Sequence, residues 1–186
     1  MLTLLFFFTL IFPQYNSQEW SSITSLLTPN GIVISDQGFV YSSTSGGLLK
    51  FNPNTNKFTF IKEEDGLVYL DLSSIAIDSN NRIWIGGAYP RGYLQVFDHQ
   101  KGLVKEITHL EVNQLDNIVI GQDKAFAIYY GSTSTEVGIL EFLLDDQNLP
   151  YYKDYYTNFS DSLITEISDL DITESHIYIT TNNGIY

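Results

Sequence analysis

Short stretches in which apolar residues fall at every second position recur along the chain. Ile32/Ile34, Ile75/Ile77, Ile118/Ile120 and Leu170/Ile172 each sit in one, the pattern that a half-buried β-strand requires. A polar turn follows each: Asp36-Gln37-Gly38, Asp78-Ser79-Asn80-Asn81, Gly121-Gln122-Asp123 and Thr173-Glu174-Ser175. Asp, Asn and Gly tolerate positive φ or hydrogen-bond their own backbone, so they favour hairpin turns. A second strand is expected at FVYSS, RIWIGG, AFAIYY and HIYITT, with an aromatic column at Tyr41, Trp84 and Tyr178 and Ala127 as the exception. Third strands are expected at GLLKFN, GYLQVFD and GILEFLL. After a further polar turn such as Asn52-Pro53-Asn54-Thr55-Asn56, fourth strands follow at KFTFI, LVKEI and YYKDYY. No segment holds a 3.6-residue apolar period beyond one turn, so the unit reads as a four-stranded antiparallel meander.

The unit repeats. Gly47, Gly92, Gly138 and Gly184 recur at intervals of 45, 46 and 46 residues, each opening an apolar or aromatic run. Meanders repeated at that period are blades of a β-propeller, whereas successive sandwich hairpins would be irregularly spaced. The expected fold is therefore all-β, a β-propeller of four-stranded antiparallel blades. Innermost strands are expected near residues 31–36, 73–78, 116–121 and 168–173, and blade repeats near 31–70, 71–115, 116–165 and 166–186. Three full meanders and a fourth that stops inside its third strand make about three and a half blades, where closed rings have about 4 to 8. The sequence thus reads as a truncated ring whose natural protein continues past Tyr186. Glu19 to Leu26 (EWSSITSL) aligns with the fourth-strand segments and offers the extra strand that ring closure uses.

Ahead of the repeat, Leu2 to Phe12 is a run of 11 residues, apolar except for two Thr and closed by Pro13. A bilayer span needs about 20 apolar residues; this length fits the core of a signal peptide. Residues 1–17 are read as that signal and 18–186 as a partial propeller domain, with no membrane span. The 9 Lys and Arg face 22 Asp and Glu, a formal net charge of −13, which repels nucleic-acid backbones and anionic lipid surfaces. The absence of cysteine removes disulfides as a source of stability.

The stretch Asp65 to Gly87, DGLVYLDLSSIAIDSNNRIWIGG, resembles the two-component regulator propeller repeat through Asp65, Gly66, Leu67, Ile75, Ile77, Asp78, Ile83, Trp84, Ile85, Gly86 and Gly87. The first unit keeps Asp36, Gly38, Tyr41, Gly47 and Leu48, and the third departs most. The resemblance implies fold determinants and transfers no catalytic position. Family members serve as periplasmic sensor halves of hybrid two-component receptors that respond to oligosaccharides, or as secreted and surface proteins of the type IX secretion system. With Trp20 and EWSSITS directly after the signal, the chain looks more like the second group. The reading is a non-enzymatic exported propeller, periplasmic, cell-surface or extracellular, that recognises another protein or a glycan. The alternative is a periplasmic ligand-sensing propeller of a hybrid two-component receptor.

Candidate chemistry is sparse, and neither a catalytic set, a metal site nor a cofactor is expected. His99, His109 and His176 fall in different units, without the clustered spacing that a metal needs. Asp145-Asp146-Gln147-Asn148 and Asp78-Ser79-Asn80-Asn81 could offer oxygens to calcium, yet turn chemistry accounts for both. Asp169 and Asp171 alternate on one strand with no second carboxylate pair, so glycosidase chemistry is unsupported. Asn158-Phe159-Ser160 is a formal glycosylation sequon. Gly86 to Gly92 lacks the Lys-Ser/Thr of a phosphate loop. Large hydrogen-bonding side chains on variable loops are common binding anchors, which singles out Tyr89, Arg91 and Tyr130. The loops joining second to third strands and those joining one blade to the next should project from one rim, because alternate connections of a meander lie on opposite faces.

An arc of blades exposes an apolar sheet face and a strand edge. Residues 18–186 expressed alone are therefore expected to self-associate. Size-exclusion chromatography showing a sharp monomer that melts cooperatively would contradict this.

Overall fold

The computed structural model describes residues 28–186 apart from 109, 134–135, 158 and 160–163. The signal-like segment, the Glu19 to Leu26 strand, His109 and two of the three sequon positions lie outside the described residues. The first sheet comprises β1 (Pro29–Ile34), β2 (Val40–Thr44), β3 (Gly47–Asn52) and β4 (Lys57–Ile61). The second comprises β5 (Leu72–Ile77), β6 (Ile83–Gly87), β7 (Tyr93–Asp98) and β8 (Gly102–Ile107). The third holds β9 (Gln114–Ile120), β10 (Lys124–Tyr130), β11 (Val137–Leu144) and β12 (Pro150–Tyr156), and the last holds β13 (Ile167–Ile172), β14 (Ile177–Thr181) and β15 (Gly184–Ile185). Strand order within each sheet follows the sequence, and every pairing is antiparallel. Helix among the described residues is confined to one 3-10 turn at Glu63–Asp65. The first strand of each sheet lies within two residues of its expected place.

First strands are also the innermost. β1 packs against β5, β5 against β9, and β9 against β13, so the sheets fan outward as propeller blades do. Each first strand carries a bulge that leaves one polar residue out of register: Asn30, Ser73, Asn117 and Ser168. Three of these reach the next blade. Asn30 Nδ2 donates to the Leu72 carbonyl at 2.7 Å, the Ser73 hydroxyl to the Leu115 carbonyl, and Asn117 Nδ2 to Asp169 Oδ1. A bulge frees a backbone position from the ladder and re-aims its side chain. Here it turns a strand residue into an inter-blade contact. The crowding at this contact explains the small residues of Ile83–Gly87: a Cβ on Gly86 would come within 2.9 Å of the Leu115 Cβ of the third blade.

Blades meet face to face over three apolar cores. Tyr41, Leu48 and Ile61 of the first blade pack on Ile83, Ile85, Tyr93 and Phe97 of the second. Trp84, Leu94 and Val96 pack on Leu115, Ala125, Ala127, Leu140 and Phe142 of the third. Phe126, Ile128 and Ile139 pack on Ile167, Leu170 and Ile179 of the fourth. Alternation along β6 therefore directs Ile83 and Ile85 into one core and Trp84 into the next, and all three are fully buried. The aromatic column differs from expectation in the third blade. The second pair from the hairpin is Val33–Tyr41, Ala76–Trp84, Val119–Phe126 and Asp171–Tyr178, so Phe126 fills the place assigned to Ala127. The cause is that AFAIYY begins at the first paired residue, Ala125, whereas FVYSS, RIWIGG and HIYITT begin one residue before theirs.

Two faces of the arc lack a neighbouring sheet among the described residues. On the first blade, register puts Ile32, Ile34, Phe58 and Phe60 on the side away from the second blade, and they are 51–68% exposed. On the last sheet, Tyr178 and Ile185 are exposed on the side away from the third blade.

At the hairpin end the blades are tied by polar side chains. Asp36 and Asn81 exchange two hydrogen bonds of 2.8 Å between the first and second blades. Arg82, buried, bridges the second and third. Its Nε donates to Asp78 Oδ2 at 2.7 Å, while Nη1 and Nη2 donate to the carbonyls of Gln147 (2.9 Å) and Asn148 (2.5 Å). Asp78 also accepts from Trp84 Nε1 at 3.0 Å. Removing one member of a buried, hydrogen-bonded ion pair leaves the other uncompensated. Arg82→Leu is expected to destabilise the fold by about 3 kcal/mol, read as a shifted urea midpoint; a loss below about 1 kcal/mol would show the pair to be effectively solvated.

Candidate functional site

One rim of the arc collects two classes of connection. The links between second and third strands are 45–46, 88–92, 131–136 and 182–183; the links between blades are 62–71, 108–113 and 157–166. Their backbones bond to one another. Gly92 N donates to Val112 O and Asn113 N to Tyr130 O, both at 2.8 Å, and Asn182 N donates to Glu166 O at 3.2 Å.

The first and last sheets turn at this rim in the shortest possible way. Thr44 and Thr181 each donate from the hydroxyl to the carbonyl of the glycine three residues on, and each accepts from the backbone N–H of the residue between. Gly47 and Gly184 take φ of 124° and 126°, a region that side chains disfavour. The second and third blades instead carry longer loops, and these concentrate the protruding side chains.

Tyr89 stands on the longer loop of the second blade and is 74% exposed. Arg91, also exposed, makes no ion pair with a described residue. It borders a cleft of about 340 Å³ lined by Tyr69, Pro90, Arg91, Tyr93 and Thr108. Tyr69 and Thr108 belong to the two inter-blade links and the other three to the blade's own loop and β7. The Tyr69 and Tyr93 rings lie 4.5 Å apart and tilted by 38°. Tyr93 is buried and its hydroxyl donates to the Asp71 carbonyl at 2.8 Å; burial, with Asp71 nearby, pushes its acidity well below that of free tyrosine. Burial and the Glu106 carboxylate likewise raise the Tyr69 pKa. Tyr130 lies elsewhere. It ends β10, is half-buried, and directs its hydroxyl to the Ile167 carbonyl at 3.4 Å. Of the three, Arg91 lines that cleft; Tyr89 stands on the same second-blade loop outside its lining, and Tyr130 is on the third blade.

Tyr69, Tyr93 and Thr108 were not expected as site residues. Gln95 carries the signal that could have found them, because it is a polar residue between the apolar Leu94 and Val96 in the middle of β7. It is fully buried, donates from Nε2 to the Tyr69 carbonyl at 2.9 Å and accepts from Val68 N at 3.1 Å. One amide side chain thereby holds the backbone under Tyr69.

The remaining candidates resolve into local structure. Asp145 Oδ1 accepts from Gln147 N and Leu149 N, and Asp78 Oδ1 from Asn80 N and Arg82 N. Asp169 accepts from Asn117, and His176 pairs with the adjacent Ser175 hydroxyl at 2.8 Å. His99 borders a small polar cavity at the hairpin end. Among the described residues no three His, Cys, Asp or Glu are grouped to hold a metal ion, and no helix is long and apolar enough to cross a membrane.

Two solved structures share this architecture. One is the extracellular domain of a protein described as the one-component system BT4673 of B. thetaiotaomicron (TM-score 0.56, 19% identity). It is matched over 85% of this chain and 21% of its own length. The other is the extracellular domain of a protein described as the hybrid two-component system BT3049 of the same organism (TM-score 0.57, 17% identity), matched over 84% and 20%. The chain is a β-propeller arc. It spans about a fifth of either matched chain. A GH43 endo-arabinanase of Bacillus licheniformis aligns at a TM-score of 0.43 with 10% identity over 85% of this chain and 71% of its own, too distant to bear on the propeller described here. No model of a protein family matches the chain, and no curated protein matches it.

Replacing Gln95 by Leu should leave the Val68 N–H and Tyr69 C=O without their partner, at about 1–3 kcal/mol. Amide exchange over residues 66–70 is expected to accelerate, with β6 and β7 unchanged. Unaltered exchange there would mean that packing alone holds the rim.

Proposed function

We propose that the chain is a non-enzymatic recognition module, exported from the cell, that holds a ligand at the rim of its second blade. The cleft under Arg91 carries this reading. The Tyr69 ring backed by the buried Tyr93, a guanidinium without an ion pair to a described residue and a threonine hydroxyl converge there from three separate connections. Aromatic faces supply apolar contact for a sugar ring. A few fixed polar groups then set orientation, as in small-molecule sites of about 300 Å³ upward. The ligand class that fits is a glycan. Export is supported by the signal-like residues 1–17 and by the extracellular setting of the two structural neighbours.

Those neighbours are extracellular domains of a one-component and a hybrid two-component system, which favours a ligand-sensing propeller of a receptor in the two-component regulator propeller family over a freely secreted surface protein. The type IX secretion reading rests on Trp20 and EWSSITS alone, directly after the signal-like segment. A sensor needs its binding surface at the exposed rim of a rigid scaffold, where loops vary without cost to the core, and the second-blade loop meets that condition.

The test is titration calorimetry of an oligosaccharide panel against the full-length protein with Tyr89→Ala and Arg91→Ala. Each substitution is expected to weaken binding about tenfold, roughly 1.4 kcal/mol. Unchanged affinity, with loss instead on altering the opposite turn Asn52 to Asn56, would put the site on the other face.

A further inference from the structure

The three four-stranded blades differ at their outer edges. Each ends in a fourth strand, and the far side of such a strand is a template of backbone N–H and C=O groups on which another strand can pair. β8 and β12 are blunted in two ways. Each is bulged, at Val104 and at Lys153, and each carries a charged pair within the strand, Lys105-Glu106 and Lys153-Asp154. A bulge breaks the regular edge, and charges along it resist burial by an added strand. β4 has neither device. Its register with β3 runs unbroken from Leu48–Ile61 to Asn52–Lys57, and its one charge, Lys57, stands at its first residue.

The side chains of β4 are open as well. Phe58 and Phe60 share one face with Phe51, whose ring lies 4.7 Å from that of Phe58. Thr59, exposed, lies on the other face opposite Lys50. Lys-Phe-Thr-Phe-Ile is nearly a palindrome about Thr59. Laid antiparallel and turned end for end, a second β4 puts Thr59 opposite Thr59 and each Phe58 opposite a Phe60, with all the rings on one face. Lys57 then falls opposite Ile61 rather than opposite another lysine. Aromatic and threonine pairs stabilise antiparallel strands, whereas like charges set opposite one another do not.

We propose that β4 pairs with the β4 of a second copy of this chain about a two-fold axis at Thr59, joining two four-stranded first blades into one continuous sheet. A strand that pairs with itself makes a closed contact, so association stops at two. An axis perpendicular to the sheet keeps the phenylalanines of both copies on one side, and the outward fan of the blades carries β8 away from it. A second copy is favoured over an unrelated strand because the palindrome matches its own sequence along the whole strand. Stacking of one arc's open face on another is a different contact, which leaves the β4 edge free. Five residues of ladder and the rings beside them make a contact at the low end of interface sizes, so dimer and monomer exchange in the micromolar range.

The test is sedimentation equilibrium of the whole protein from about 1 to 100 μM, which should show monomers and dimers and nothing larger. Thr59→Glu sets two carboxylates against each other on the axis, while within one copy the new side chain gains Lys50 as its opposite neighbour. It should raise the dimer dissociation constant about tenfold or more. Ser79→Glu adds the same charge at an exposed position of the hairpin end and should change that constant by less than about twofold. Thr59→Val, which keeps the β-branched shape, should leave the dimer intact. In the unmutated protein, amide exchange over residues 57–61 should slow as concentration rises while that of β8 and β12 stays constant, a readout that does not depend on any variant folding. A monomer at every concentration, or equal weakening by both glutamate variants, would overturn the proposal. So would open-ended oligomers without protection of β4, the mark of arcs stacking by their open faces.

Discussion

The spacing between neighbouring blades is set where their first strands meet, and at that contact each first strand carries one bulged polar residue. Asn30, Ser73 and Asn117 all extend to the next blade's first strand. A regular strand would turn that side chain into one of the blade's own faces; the bulge lets it point along the ring instead. Apolar packing between sheets is non-directional, so it can bring two blades together without fixing their offset. Hydrogen bonds from the bulges are directional, and three repeats of one device give the arc a regular pitch.

That pitch decides what the rim can be. With the blades held in step, the inter-blade links pass close to the loop of the blade they leave or enter, and the Gly92–Val112 and Asn113–Tyr130 bonds stitch them together. The cleft under Arg91 is a product of this stitching, since no single connection contains its walls. Gln95 reaches up from the centre of the second blade to hold Tyr69 in place, which couples the buried sheet to the exposed surface. At the opposite end, Arg82 ties the second and third blades through the turn carbonyls of Gln147 and Asn148. The two ends of the blade pair are thereby secured by different chemistry, and only one of them leaves aromatic side chains open to a ligand.

Much of this was legible in the sequence, because a β-meander writes its strands and turns locally. Polar turns and period-two runs place the strands, and the glycine interval reveals the repeat. The four glycines nevertheless serve different ends. Gly47 and Gly184 supply a left-handed backbone at a tight turn; Gly92 and Gly138 leave space for Val112 and for the Tyr129 ring. Periodicity identified the positions and not the reasons. The third blade's aromatic was misplaced by one residue because AFAIYY was aligned from its first paired residue while its counterparts begin one residue before theirs, and a one-residue slip moves a side chain to the opposite face. Tyr89 and Arg91 could be picked out as protruding loop residues. Tyr69, Tyr93 and Thr108 could not, because they are separated along the chain and meet only once the inter-blade links are laid against the loop. Tyr130 stood at the boundary between the expected strand AFAIYY and the loop after it; it belongs to the strand, and the fourth blade takes its hydroxyl.

A chain of net charge −13 can hold its few cations only where they act. Arg82 and Lys124 are fixed in pairs with Asp78 and Glu141, and Glu141 answers by staying ionised. Burial opposes its charge, but hydrogen bonds from Lys124 and Tyr156 and the attraction of Lys153 hold its pKa below the usual carboxylate range. Arg91, by contrast, stands at the rim without an ion pair to a described residue, beside the Tyr69 ring, which the Glu106 carboxylate also approaches. Exposed charge is screened by water and salt whereas buried charge is not, so the paired cations brace the blades while the rim guanidinium stays open to solvent.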